Sequence, residues 1–148
     1  MSTRRSALIA EDEPVIGMEL EEALREQVGS IEVFTVVSVE EGLTLARRAL
    51  FDFALVDVRL SDGDCDELIA LLAERGVPFA LCSGFSSTNL TLRYGDLPML
   101  SKPYKNRDLA AILTRLLGSK PIRRVPNRPE RAMSTRQPRG LGARSPDA

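Results

Sequence analysis

Five side chains in this 148-residue chain could act together on a phosphoryl group: Glu11, Asp12, Asp57, Ser83 and Lys102. Each stands at the end of a short apolar run. Carboxylates brought close together raise one another's pKa values unless a cation intervenes. A hard divalent ion with oxygen ligands, Mg²⁺ above all, suits a pair of carboxylates completed by a backbone carbonyl and waters. Lys102 supplies a point charge for an anion, and Ser83 can donate to one of its oxygens. An Asp beside a cation is a nucleophile toward phosphorus, giving an aspartyl phosphate. The metal and Lys102 would neutralise charge on the group in transfer.

These residues act together only if the fold gathers them. Ser6 to Ala10 is a short apolar run ending in acids, and Pro14 then opens a helix at the one turn where its missing N–H costs nothing. Ile16, Leu20, Ala23 and Leu24 recur at helical spacing, and Gly29 ends that helix. Ile31 to Val37 is β-branched and aromatic, which predicts a strand. Val39 to Leu50 predicts a helix through Leu43, Ala46, Ala49 and Leu50. Phe53 to Val56 is continuously apolar, the mark of a strand covered on both faces. Asp62-Gly63-Asp64 predicts a turn with acids capping the next helix, which carries Leu68, Ile69, Leu71 and Leu72 and stops at Gly76. Pro78 to Cys82 and Pro98 to Ser101 predict the fourth and fifth strands. Ser86 to Gly95, between them, is polar and a poor helix former. Leu109, Ile112, Leu113 and Leu116 give a last helix closed by Gly118.

Five strands alternating with helices predict an α/β fold with a doubly wound parallel sheet. In such sheets ligands bind at the carboxyl ends of the strands. Taken singly, the five residues have ordinary explanations. Glu11 to Glu13 would suit any helix N-terminus, and Ser83-Gly84 and Lys102-Pro103 any turn. Their joint placement at four of the five strand ends is what points to a site.

Composition removes other chemistries. There is no histidine, so Ser-His-Asp and Cys-His catalysis, His-ligated zinc or haem, and a His phospho-carrier are excluded. Two cysteines, Cys65 and Cys82, are too few for a disulfide scaffold or a Cys-only zinc site, which favours a reduced, cytoplasmic setting. Arg4-Arg5 precedes an apolar stretch too short for a signal peptide, and no run approaches the roughly 20 apolar residues of a membrane span. Asp62, Asp64 and Asp66 begin like a calcium loop, but Glu67 replaces its Gly and Ala73 its closing Glu. A haloacid-dehalogenase-type phosphatase would need a second Asp where Arg59 stands.

At the level of motifs, the chain resembles the receiver domain of bacterial two-component response regulators over about Ser6 to Leu117. Ala7 to Pro14 is similar to that family's acidic pocket, and Phe53-Ala-Leu-Val-Asp57 to its phospho-accepting strand end. Ser83 matches the switch Thr/Ser, and Lys102-Pro103-Tyr104 the Lys-Pro-aromatic motif. The run Leu81-Cys-Ser-Gly-Phe85 is a loose match to the Phe-Ala-Thr-Gly-Tyr motif of an alphaproteobacterial single-domain subgroup. The resemblance implies a flavodoxin-like (β/α)5 fold with strand order 2-1-3-4-5. It implies Asp57 as acceptor, Asp12 as direct Mg²⁺ ligand, Glu11 acting through water, and Arg59 offering its backbone carbonyl. Lys102 would pair with the phosphoryl oxygens, and Ser83 would close onto them. The Lys102–Pro103 peptide bond is expected to be cis. Met99 stands where most receivers have a switch aromatic, so Tyr104 or Phe85 is the expected substitute.

The implied partners are a sensor histidine kinase or histidine phosphotransfer protein upstream and a protein target downstream, with no membrane. The implied role is a stand-alone response regulator that catalyses only its own phosphorylation and dephosphorylation. Two other readings remain: a binding-only pseudo-receiver or phosphate sink, and a nucleic-acid binder. The last is disfavoured by charge. Residues 1–118 hold 12 basic and 19 acidic residues, a net of −7; residues 119–148 hold eight basic and two acidic, a net of +6. The expected division is therefore a receiver domain at 1–118 and a basic, Pro-rich tail at 119–148, expected to be disordered. No aromatic residue follows Tyr104 for base stacking.

Overall fold

The computed structural model describes residues 4–84 and 93–118. Five parallel strands form the sheet: β1 (Arg5–Ala10), β2 (Ile31–Val36), β3 (Phe53–Asp57), and the strands Phe79–Ser83 and Met99–Ser101, here β6 and β7. Between β3 and β6 two dipeptides, β4 (Arg59–Leu60) and β5 (Gly63–Asp64), pair antiparallel as a small hairpin. The sheet order is β2-β1-β3-β6-β7. Once the hairpin is set aside, this is the expected 2-1-3-4-5 order of a doubly wound flavodoxin-like fold. The helices are α1 (Pro14–Val28), α2 (Val39–Arg48), α3 (Asp66–Glu74) and α4 (Asn106–Gly118).

Strand alternation sorts the core into two layers. Leu8, Ala10, Ala54, Val56, Phe79 and Leu81 face α2 and α3. Ala7, Ile9, Phe53, Leu55, Ala80 and Cys82 face α1 and α4. Because both faces are covered, the central strands are apolar over Ala7–Ala10, Phe53–Val56 and Phe79–Cys82, and the acids and the Ser83 hydroxyl follow these runs at the carboxyl edge. At α2 the packing is close enough to need a glycine: a Cβ on Gly42 would lie 2.8 Å from a methyl of the buried Leu68.

Pro14 occupies the first turn of α1, and Gly29 closes it at φ 88°, as the sequence predicts. Helix α2 ends at Arg48, two residues earlier than expected, and Ala49 is already extended. The acids of the Asp62-Gly-Asp64 turn divide between two helices. The Asp62 carboxylate accepts the Val39 and Glu40 N–H groups, at 2.8 and 3.1 Å, and so caps α2, more than twenty residues upstream. Those backbone bonds, Val39's first, hold its pKa below the usual carboxylate value. Asp64 accepts the Asp66 N–H at 3.1 Å from one residue before the N-cap of α3, which is Cys65 and not the expected acid. Most of the polar 86–95 stretch, with Phe85, lies outside the described residues, as does the 119–148 tail.

Candidate functional site

Three strand ends and one loop converge at the carboxyl edge. Glu11 and Asp12 follow β1, Asp57 is the last residue of β3, and Ser83 is the last residue of β6. Lys102 follows β7. The registers fix their neighbourhood: Asp57 pairs with Cys82, and Ser83 with Ser101. The Lys102 N–H donates to the Ser83 carbonyl at 2.8 Å, which carries the β6–β7 ladder into the loop. The Lys102–Pro103 bond is cis, as expected.

One carboxylate oxygen each from Glu11, Asp12 and Asp57 lies within 4.8 Å of the others. Glu11 and Asp57 are buried and Asp12 is half-buried. Lys102 Nζ donates to Asp57 Oδ2 at 2.7 Å and stands 2.9 Å from Glu11 Oε1. The Glu11 contact is an ion pair without a well-directed hydrogen bond. Backbone groups hold the other oxygens. Glu11 Oε2 accepts the Glu13 N–H at 3.1 Å, and Asp57 Oδ1 accepts the Arg59 N–H at 3.2 Å. Both carboxylates are thus aimed by the turn two residues further on.

Electrostatics follow from this crowding. Burial raises the Glu11 pKa above its ordinary 4.5, and the Lys102 and Glu13 contacts only partly offset it. Burial also works against the charge on Lys102, but its hydrogen bond to Asp57 and its attraction to the Glu11 carboxylate prevail and the pKa is raised. The cluster is three carboxylates against one ammonium, an all-oxygen donor set carrying excess negative charge. That set fits a hard divalent cation such as Mg²⁺. The Cys82 thiol, in the α1/α4 layer, is pushed up to about 12 by burial, so it is not a nucleophile at neutral pH.

The fold thus brings together Glu11, Asp12, Asp57 and Lys102, with the buried Ser83 one strand over. Arg59 is exposed and reaches Asp57 through its N–H. Met99 packs with the α2/α3 layer, whereas Tyr104 packs with the α1/α4 layer on the opposite face. A group the sequence reading passed over lies on the Met99 side. Tyr94 is 2% exposed, and its hydroxyl donates to Asp66 Oδ1 at 2.6 Å. Arg93 pairs with Asp64 and Asp66 and lies over the Tyr94 ring, 5.5 Å from its centroid. This cluster ties the residues before β7 to the start of α3. The only sequence signal for it was an Arg-Tyr pair within an otherwise polar segment.

A doubly wound parallel sheet with an acidic trio and a lysine at its carboxyl edge defines a phosphoacceptor-type α/β domain. Residues 7–114 match the family model of the response regulator receiver domain, and the chain belongs to that family. The response regulator protein PilR of Pseudomonas aeruginosa is 31% identical over 124 residues, covering 77% of this chain; the chain spans 27% of PilR's length. Among solved structures, SdrG from Sphingomonas melonis Fr1 is 36% identical, with a TM-score of 0.68, over 79% of this chain and 99% of that one. The receiver domain of the sensor histidine kinase PA1611 from Pseudomonas aeruginosa PAO1 is 26% identical, with the same TM-score, over 79% of this chain and 100% of that one; it holds a magnesium ion in its active site cleft. Among the described residues no helix is long and apolar enough to cross a membrane.

Proposed function

We propose that this chain is a stand-alone response regulator that accepts a phosphoryl group on Asp57 and signals through protein contacts. The observation that carries the proposal is the ion pair of Lys102 with Asp57 inside the Glu11–Asp12–Asp57 trio. An Asp57 oxygen attacks the phosphorus of a phosphohistidine on a sensor kinase or phosphotransfer protein. The new O–P bond forms as the P–N bond breaks, and the imidazole leaves with a proton. Lys102 already lies against Asp57 and moves onto the incoming phosphoryl oxygens as the carboxylate becomes an acyl phosphate. Ser83, at the end of the adjacent strand, donates its hydroxyl to another phosphoryl oxygen. Asp12, Asp57 and the Arg59 carbonyl would hold Mg²⁺ directly, with Glu11 acting through water. The bound ion supplies positive charge that offsets the charge on the group in transfer.

The chain's own chemistry is limited to gaining and losing this phosphate, in the cytoplasm. Its likeness to SdrG, covered over 99% of that chain's length, supports the single-domain role and the alphaproteobacterial subgroup. The test is incubation with acetyl phosphate and Mg²⁺ followed by intact mass. One phosphoryl adduct should form on the wild-type chain and none on Asp57→Asn, because an amide cannot attack phosphorus. An undiminished adduct on Asp57→Asn would remove the site assignment.

A further inference from the structure

The outer face of α1 is unlike the other helix faces. Val15 and Met18 are 66% and 68% exposed, the most exposed large apolar residues among those described. They share a shallow depression with Glu19, Glu21, Glu22 and Arg25. Helix α1 carries four acids and one base, a net of −3. In contrast α2 holds Glu40, Glu41, Arg47 and Arg48 and is neutral, and α4 holds Arg107, Asp108 and Arg115 and is positive. Helix α3 is also acidic, but Arg93 already covers its Asp66.

From the sequence and these surfaces we propose that the basic 119–148 segment docks intramolecularly on the acidic, apolar outer face of α1. Charge complementarity selects this occupant: the segment is +6 and the rest of the chain −7. It also carries apolar residues, Ile122, Val125 and Met133, between its arginines, to match Val15 and Met18. Position favours it as well. The segment leaves from Gly118 at the end of α4, which packs on the same side of the sheet as α1. Gln27 at the end of α1 donates to the Asn106 carbonyl of α4 at 3.1 Å. That bond is to the start of α4 and the segment leaves from its end, so the path to Val15 and Met18 runs along both helices, about 40 Å; the segment's fully extended length, on the order of 100 Å, covers it. Tethering puts its effective concentration near the millimolar range, so a weak interaction suffices. Because α1 begins directly after Glu11–Glu13, a segment lying there borders the acidic pocket and would compete with an incoming phosphodonor protein. That consequence rests on the phosphoacceptor reading; the docking itself does not.

The experiment uses the full chain with a nitroxide on Ser134→Cys; Cys65 and Cys82 are buried and stay unlabelled. Amide signals of residues 15–26 should lose more than half their intensity, while those of α2 keep theirs. The loss should disappear in about 1 M salt, where the screening length is roughly 3 Å. It should also disappear in the Glu19→Lys/Glu22→Lys variant, whose remaining spectrum should overlay the wild type, because both residues are exposed. Uniform broadening, no broadening, or broadening centred on another helix would overturn the proposal. Broadening of an unlabelled isotopic copy mixed with a labelled one would assign the face to a second chain and overturn it equally.

Discussion

Lys102 Nζ lies 2.7 Å from Asp57 Oδ2 and 2.9 Å from Glu11 Oε1, so one ammonium bridges two strand ends that are 46 residues apart in sequence. It is the one cation in contact with these two buried carboxylates among the described residues. Replacing it by Met should leave both without a counter-charge. The expected loss is about 3–5 kcal/mol at neutral pH, the range found when one partner of a buried pair is removed. The loss should shrink as pH falls and Glu11, whose pKa burial raises, protonates. Urea unfolding of Lys102→Met at several pH values measures it; a loss independent of pH would contradict the bridging role.

Asp12 adds a third negative charge and makes no ion pair with Lys102. Asp12→Asn should therefore raise the melting temperature without divalent ions, since it removes repulsion and no ionic partner. The same change should weaken Mg²⁺ binding about tenfold or more, the equivalent of about 1.4 kcal/mol. Thermal melts with and without Mg²⁺ separate the two effects. An unchanged Mg²⁺ response would exclude Asp12 from the metal site.

The pH dependence has a definite sign. The folded pKa of Lys102 is raised above its ordinary 10.5. Its contribution to stability is present in full below that pH and is lost as pH rises through the higher folded value. Glu11 is also raised, from 4.5, so folding favours its protonated form. The stability it contributes is present below pH 4.5 and is lost as pH rises through the folded value. In metal-free solution, Glu11→Gln should therefore gain on the wild type as pH is raised from the acid side. A stability difference that stays flat with pH, or runs the other way, would contradict the burial of this charge.

Tyr94 packs against the α2/α3 layer and donates to Asp66. Tyr94→Phe keeps the ring and deletes the hydroxyl. A hydrogen bond to a charged group is worth about 1.5–3 kcal/mol, and that is the expected loss in chemical denaturation. Hydrogen exchange should quicken at the start of α3, where Asp66 sits. If neither changes, the hydroxyl does not hold the α3 N-terminus.

Much of this architecture was legible in the residue order, because apolar runs without alternation can be satisfied only by strands covered on both faces. Phe53 to Val56, followed by Asp57, announced both the buried strand and its polar tip. Pro14 and Gly29 marked the ends of α1 through local backbone preferences that need no tertiary context. The gathering of Glu11, Asp12, Asp57, Ser83 and Lys102 on one edge followed from parallel strands alone. Other features depended on contacts between distant segments. Asp62 has the same local signal as Asp64, yet it caps α2, since only the folded chain brings Val39 and Glu40 within 3.1 Å of it. The switch region shows the same limit. A missing aromatic at Met99 directs attention to aromatics near in sequence, but sheet alternation and the packing of 93–94 set Tyr94 in that layer and Tyr104 in the other. The sequence names which groups are available; long-range packing decides which carboxylate meets which N–H, hydroxyl or ammonium.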